Sequence, residues 1–295
     1  MTNLQRLLLL FTSAPQCTVC DQTMMDKFVM KHSKNPDNHK LGQCEIKCQV
    51  DLNDESPRKK LKRGTGGSEE TELPPLLSEQ ESARDVKYSW KQLRAEGLNC
   101  DYTKIFSKSE ADDIFLQLEK VLEYFSGEQT KVQVFGKWHD IPRRQVTYGD
   151  LGLTYTYSGV TLVPKPWLPV LEKIRDRVTQ ATGHTFNFVL INRYKDGSDH
   201  IGEHRDDEKE LEPLSPIASV SFGACRDFVF RHCDSRGRSA TRHLEPVKLL
   251  LVHGSLLMMN YPTNVYWYHS LPVRKKVLTP RVNLTFRKVL PPPKN

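Results

Sequence analysis

The chain has no apolar run long enough to cross a bilayer as a helix. Its N-terminal Leu7-Leu8-Leu9-Leu10-Phe11 is five residues long, short of the roughly 20 that a membrane helix needs and of the roughly 7–15 in a secretory signal. Cysteine is sparse and odd in number. The seven thiols follow no even spacing, so reduced thiols in an intracellular compartment are expected rather than a disulfide framework. Cys17-Thr18-Val19-Cys20 with Cys44 and Cys48 mimics a zinc module, yet the residues between lack the strand and turn pattern that presents four thiolates to one ion. Large apolar side chains are scarce from residue 31 to 86, where charge and the run Gly64-Thr65-Gly66-Gly67-Ser68 prevail. Such a segment buries too little surface to offset chain entropy. Residues 1–86 therefore read as a disordered tail and residues 87–295 as one folded domain. Acidic charge is also in deficit: 43 Lys and Arg face 36 Asp and Glu, for a net charge of +7. That balance suits a polyanionic partner. Without an amphipathic basic helix, nucleic acid fits better than a membrane surface, and no membrane partner is expected. In the tail, Pro57-Arg58-Lys59-Lys60-Leu61-Lys62-Arg63 is a basic cluster that an import receptor reads without any fold, which points to the nucleus.

What is there begins with two helices. Ser107-Lys108-Ser109-Glu110 is a capping box, and Ala111, Ile114, Phe115, Leu118, Val121, Leu122 and Phe125 follow at helical spacing up to Gly127. Pro169 opens a second helix whose core face is Leu171, Ile174 and Val178, and Gly183 closes it. After Thr185 the pattern turns to strands, expected at 217–222, 226–232, 247–252, 256–259 and 281–289. Helices first and many short strands afterwards indicate an α+β fold, with sheets stacked as a jelly roll and helices flanking them.

The chemistry centres on His204-Arg205-Asp206, with His269 far downstream. Two imidazoles and one carboxylate leave half of an octahedral iron site open for oxygen and a cosubstrate. The triplet alone is weak, because 10 His and 36 acidic residues in 295 positions yield about one such triplet by chance. Context strengthens it. In Arg281-Val282-Asn283-Leu284-Thr285-Phe286-Arg287 the apolar residues alternate strictly with polar ones. An edge strand wetted on one face has this pattern. So does an interior strand whose arginine forks hold a small dicarboxylate. Upstream, a strand from Thr185 puts Asn192 and Tyr194 on one face just before the Asp196-Gly197 turn. Together these positions favour a 2-oxoglutarate pocket. His200-Ile201-Gly202-Glu203-His204 also matches a zinc-protease pattern, but that pattern needs a helix, and the glycines and aspartates around it favour a turn.

The stretches 186–197, 200–207, 254–260 and 281–287 together resemble the AlkB family of Fe(II)/2-oxoglutarate dioxygenases, and the likeness runs from Trp90 to Leu290. Val134-Phe135-Gly136 and the basic insert from Arg231 to Arg242 resemble the duplex-preferring DNA demethylases within it. The resemblance implies a double-stranded β-helix, with His204, Asp206 and His269 as iron ligands and Asn192, Tyr194, Arg281, Thr285 and Arg287 around 2-oxoglutarate. It also implies O2 as cosubstrate, ascorbate as an activator in vitro, and repair of N1-methyladenine, N3-methylcytosine and etheno adducts, with formaldehyde released from the methylated bases. A methylated base is cheaper to extrude from a duplex than a normal one. The apolar tip Phe135-Gly136, with Lys137, is suited to wedge into the gap. Tyr155, Thr156 and Tyr157 would wall the flipped base, Tyr157 standing where related enzymes commonly carry Phe, and Asp207 would contact it. Arg231, Gly237, Arg238, Arg274, Lys275 and Lys276 match positions that grip phosphates and the complementary strand of double-stranded DNA. Lys27-Phe28-Val29-Met30-Lys31 resembles the motif by which related enzymes bind the sliding clamp PCNA. A monomer is expected. The rival readings are a single-strand or RNA demethylase of the same family and a non-catalytic nucleic-acid-binding module.

Overall fold

The structure, a computed structural model, describes residues 87–134, 137–157, 160–238 and 240–292. The tail, the Cys17 to Cys48 thiols, the Lys27–Lys31 motif, the basic cluster, Phe135 and Gly136 lie outside the described residues, as do the side chains of Lys137 and Tyr157.

The opening strands β1 (Lys91–Ala95) and β2 (Leu98–Lys104) are followed by helix α1 (Lys108–Val121). The Ser107 hydroxyl accepts the Glu110 N–H and the Glu110 carboxylate accepts the Ser107 N–H, so the expected capping box starts this helix. The helix ends before the expected Gly127. Leu122 turns to extended backbone and Phe125 N–H donates to Gln145 O (2.9 Å), while both side chains still pack against the core. Next come the hairpin β3 (Lys131–Val134) and β4 (Lys137–Asp140), β5 (Arg144–Gly149), and the short pair β6 (Tyr155–Tyr157) and β7 (Val160–Leu162). Helix α2 (Pro169–Thr182) begins on the expected proline and stops at Gly183, whose φ of 75° favours glycine.

The remaining strands are β8 (Phe188–Tyr194), β9 (Ile201–His204), β10 (Ile217–Gly223), β11 (Arg226–His232), β12 (Val247–Leu251), β13 (Ser255–Met259), β14 (Trp267–Leu271) and β15 (Arg281–Arg287). They complete a seven-stranded sheet in the order β1-β2-β13-β10-β15-β8-β5 and form a four-stranded sheet in the order β12-β11-β14-β9. The pairings within both sheets are antiparallel. The expected jelly roll is the architecture found.

Alternation on the large sheet sorts its side chains into two layers. Val189, Ile191, Val220, Phe222, Leu256, Met258, Val282, Leu284 and Phe286 meet α1 and α2 in one core. From the other face, Tyr194, Ile217, Leu257 and Met259 meet Phe228, Phe230, Leu249, Leu251, Trp267 and Leu271 of the small sheet. The polar half of β15 therefore points between the sheets. β15 lies between β10 and β8, and all seven of its residues are buried. That excludes the water-facing edge strand. The protease pattern fails too: Glu203 and His204 are consecutive on strand β9, so they point to opposite faces.

Candidate metal and cosubstrate site

Strand pairing brings the distant histidines together. His204 at the end of β9 lies directly opposite His269 in the middle of β14, with their ring centres 4.3 Å apart. Asp206 follows two residues beyond His204. Its carboxylate oxygens lie 3.9 Å from His204 Nε2 and 3.8 Å from His269 Nε2. The three ligating atoms are within 4.8 Å of one another, close enough for one cation to touch all three.

The donor chemistry fits Fe(II). His204 Nδ1–H donates to Gly202 O (2.9 Å), which fixes the tautomer and leaves the Nε2 lone pair for a metal. Burial, against the pull of Asp206, lowers the His204 pKa. Burial and the neighbouring His204 push His269 down to about 3, with Asp206 opposing. Both imidazoles are thus neutral near pH 7, as metal ligands must be. For Asp206 burial opposes ionisation, but the Arg287 guanidinium, joined by the two imidazoles once acid protonates them, outweighs it and holds the carboxyl at about 2. Arg287 Nη2 donates to Asp206 Oδ1 (3.0 Å). Phe228 lies against His269, their ring centres 5.2 Å apart.

A small cleft is lined by this triad together with Asn192, Tyr194, Thr285 and Arg287. Arg281, at the other end of β15 from Arg287, is 2% exposed and donates to Ser221 Oγ (2.9 Å) and Asn283 Oδ1 (2.7 Å). Among the described residues no carboxylate pairs with it, and its Nε is buried without a partner. A buried cation left this way is a ready anion site, and it suits the outer carboxylate of 2-oxoglutarate.

Residues 100–287 match the family model of the 2OG-Fe(II) oxygenase superfamily. The chain belongs to this superfamily. As a 2OG-Fe(II) oxygenase it takes Fe(II), 2-oxoglutarate and O2. Over 203 residues it is 74% identical to the Bos taurus protein named DNA oxidative demethylase ALKBH2, a match covering 69% of this chain and 73% of the bovine one. The Mus musculus protein of that name is 72% identical over 202 residues, 68% of this chain and 84% of the mouse protein. A second mouse protein, alpha-ketoglutarate-dependent dioxygenase alkB homolog 3, is 39% identical over 201 residues, 66% and 67% of the two chains. The AlkB resemblance read from the motifs is borne out.

Around the oxygenase centre the other expected residues fall into distinct places. Asp207 is exposed, and its carboxylate accepts from Arg205 (3.1 Å). Tyr155 differs from expectation: it has no exposed surface and packs on Phe188 at 4.9 Å, so it offers no open face for a base to lie on. Thr156 is half-buried beside it, its N–H donating to Glu210 (3.3 Å). Lys137 opens β4 opposite Val134, and Tyr157 closes β6 opposite Val160. Gly237 and Arg238 are exposed beyond β11, and Lys275 and Lys276 are exposed beyond β14. Arg231 and Arg274 already hold acids, Glu203 and Asp227 respectively.

Several residues of the site were missed by sequence reasoning. Ser219 and Ser221 alternate with Ala218, Val220 and Phe222 just as the polar residues of β15 do, and that pattern was there to be found. Arg226 is 1% exposed and donates to the carbonyls of Asp196, Asp199 and Pro272, tying the turn before β9 to the loop after β14. Glu208 follows Asp206 by two residues, and burial and then the Asp206 charge push its carboxyl up to about 7. His232, Cys233 and Asp234 also lie within 4.8 Å of one another. There, His232 Nδ1 accepts the Asp234 N–H (3.2 Å) and Arg242 stands 3.6 Å from the Asp234 carboxylate, so the lone pair and the charge are both engaged.

Proposed function

We propose that this oxygenase is a DNA repair enzyme that oxidatively demethylates N1-methyladenine and N3-methylcytosine, and clears etheno adducts, in double-stranded DNA by base flipping. The observation that carries the reading is the interior polar face of β15 beside a His-Asp-His triad, in a chain 74% identical to a DNA oxidative demethylase. When bound, Fe(II) with O2 and 2-oxoglutarate supplies the oxidising power to hydroxylate an N-methyl group, 2-oxoglutarate leaving as succinate and carbon dioxide. The hydroxymethyl base then collapses to formaldehyde and the restored base.

In this reading His204 and His269 offer neutral Nε2 atoms to the metal, and Asp206 offers a carboxylate. Arg287 keeps that carboxylate ionised and in place. Arg281 neutralises the far carboxylate of 2-oxoglutarate, while Asn192, Tyr194 and Thr285 orient the molecule. Phe228, Ile201 and Met259, which line the cleft, exclude water from it. The exposed carboxylate of Asp207 favours a cationic methylated base over a neutral one. Phe135, Gly136 and Lys137 hold the gap in the stack, and Tyr157 packs on the extruded base. Arg231, Gly237, Arg238, Arg274, Lys275 and Lys276 hold the backbone and the complementary strand. Residues 1–86 carry addressing, with nuclear entry through Pro57 to Arg63 and a PCNA contact through Lys27 to Lys31, and residues 87–295 act as a monomeric catalytic domain.

The test is formaldehyde release from methylated duplex DNA, with iron, 2-oxoglutarate and ascorbate omitted in turn. Loss of turnover without iron or 2-oxoglutarate, and a lower rate without ascorbate, is the expected result. Full activity with zinc alone, or without 2-oxoglutarate, would overturn the reading. A strong preference for single-stranded DNA or RNA would move it to the other demethylase of the same chemistry.

A further inference from the structure

The residues next to the triad in sequence reach out to β11 and the segment that follows it. Glu203, immediately before His204, accepts from Arg231 Nε through one carboxylate oxygen (2.8 Å) and from Arg236 Nε through the other (2.9 Å). Tyr268, immediately before His269, has the Arg236 guanidinium carbon 3.4 Å from its ring centre and that of Arg205 at 4.8 Å. Arg205 in turn donates to Asp207 (3.1 Å) and to the Val265 carbonyl (2.7 Å).

Both bonds to Glu203 use Nε. Among the described residues the Nη groups of Arg231 and Arg236 donate no hydrogen bond. Two guanidinium groups are thus fixed through Nε by one carboxylate, with their Nη donors unused, and a planar fork of such donors matches a phosphate. One acid against two cations leaves the trio with an excess of positive charge. The Arg231 side chain is 37% exposed and that of Arg236, stacked on Tyr268, 21%, against 19% for Glu203, so an incoming anion reaches Arg231 first and Arg236 behind it.

We propose that Glu203 is a positioning residue that sets Arg231 and Arg236 as a two-pronged clamp for a nucleic-acid phosphate, aligning backbone binding with the strands that bear His204 and His269. The proposal rests on the nucleic-acid reading above. Ordering the forks before binding removes an entropy cost that flexible arginines would meet on contact. If Glu203 merely offset positive charge, removing it would tighten binding instead.

The experiment is a double-mutant cycle on the full chain. Affinity for an unmodified DNA duplex is measured against salt for wild type, Glu203→Gln, Arg236→Ala and the double variant, with Arg231→Ala run in the same cycle in case the Arg236 variant fails to fold. Arg236→Ala is expected to weaken binding by about fivefold or more and to lower the slope of log affinity against log salt by about one. Glu203→Gln is expected to weaken binding although it removes a negative charge, and in its presence Arg236→Ala should cost less than about twofold. Tighter binding by Glu203→Gln, or an equal arginine penalty in both backgrounds, overturns the proposal. Because binding is read without turnover, a chain that shows this coupling yet releases no formaldehyde from methylated duplex DNA overturns the demethylase reading and leaves the clamp standing.

Discussion

Arg281 and Arg287 look equivalent in the sequence, six positions apart on one face of one strand. In the structure they differ in what balances them. Arg287 has the Asp206 carboxylate, while Arg281 is equally buried with only neutral oxygens to donate to, and burial lowers its pKa to about 10. Removing a buried charge that lacks a counter-ion costs little or even stabilises. Arg281→Gln should therefore leave the melting temperature of the cosubstrate-free protein unchanged or raised. The same substitution should raise the KM for 2-oxoglutarate by roughly 30-fold or more, since the cosubstrate carboxylate then loses its buried partner. A fall in melting temperature without a change in KM would assign Arg281 to the core instead. Arg287→Ala should behave the other way. It strands the Asp206 carboxylate, so the metal-free protein should lose about 3–5 kcal/mol in urea unfolding. Fe(II) should restore part of that loss, because a bound cation again balances the acid.

At the scale of elements, β10 and β15 were legible because alternation of apolar and polar residues, Ser219 and Ser221 in the one and Asn283 and Thr285 in the other, keeps the period of a strand. The capping box and the Pro169 start were legible because they satisfy local backbone donors or fix local dihedrals. Strands β9 and β14 were not: β9 is four residues with none fully buried, and β14 owes its place to neighbours far away in sequence. The triad inherits that limit, since the His204–His269 register is written in the pairing and not in either segment. Two elements invite tests. Ser107 N–H, aided by Arg177, holds the Glu110 carboxyl down at about 2, so this cap stabilises the fold above the ordinary glutamate range and fades as pH falls towards 2. The gap in melting temperature between wild type and Glu110→Gln should accordingly shrink from pH 7 to pH 3. The Asp196–Gly197 turn makes the second test. A Cβ on Gly197 would lie 1.7 Å from the Arg274 carbonyl oxygen. Gly197→Ala must push the turn and the Arg274–Lys276 loop apart, and it should weaken duplex binding together with a lower melting temperature.

At the scale of the whole molecule, the buried parts and the outward-reaching parts are segregated. The triad and the polar face of β15 lie between the sheets. The β3–β4 pair, the segment between β11 and β12 and the loop after β14 lie outside the strands of the seven-stranded and four-stranded sheets. A truncation starting near Lys87 should keep turnover on short methylated duplexes and lose nuclear accumulation, read by the formaldehyde assay and by imaging of the tagged chain. Loss of turnover would give the tail a part in the site. The placement of β15 has a further consequence for how such an enzyme changes over time. In the proposed reading one strand is at once the spine of the apolar core and the cradle of the cosubstrate, with seven consecutive buried positions. Nearly any replacement there is felt twice, in packing and in chemistry. Novelty is therefore steered to the periphery, where loops can lengthen, shorten or trade charges while the oxidising centre stays as it is. A lineage built this way can try many substrates without once having to reinvent its reaction.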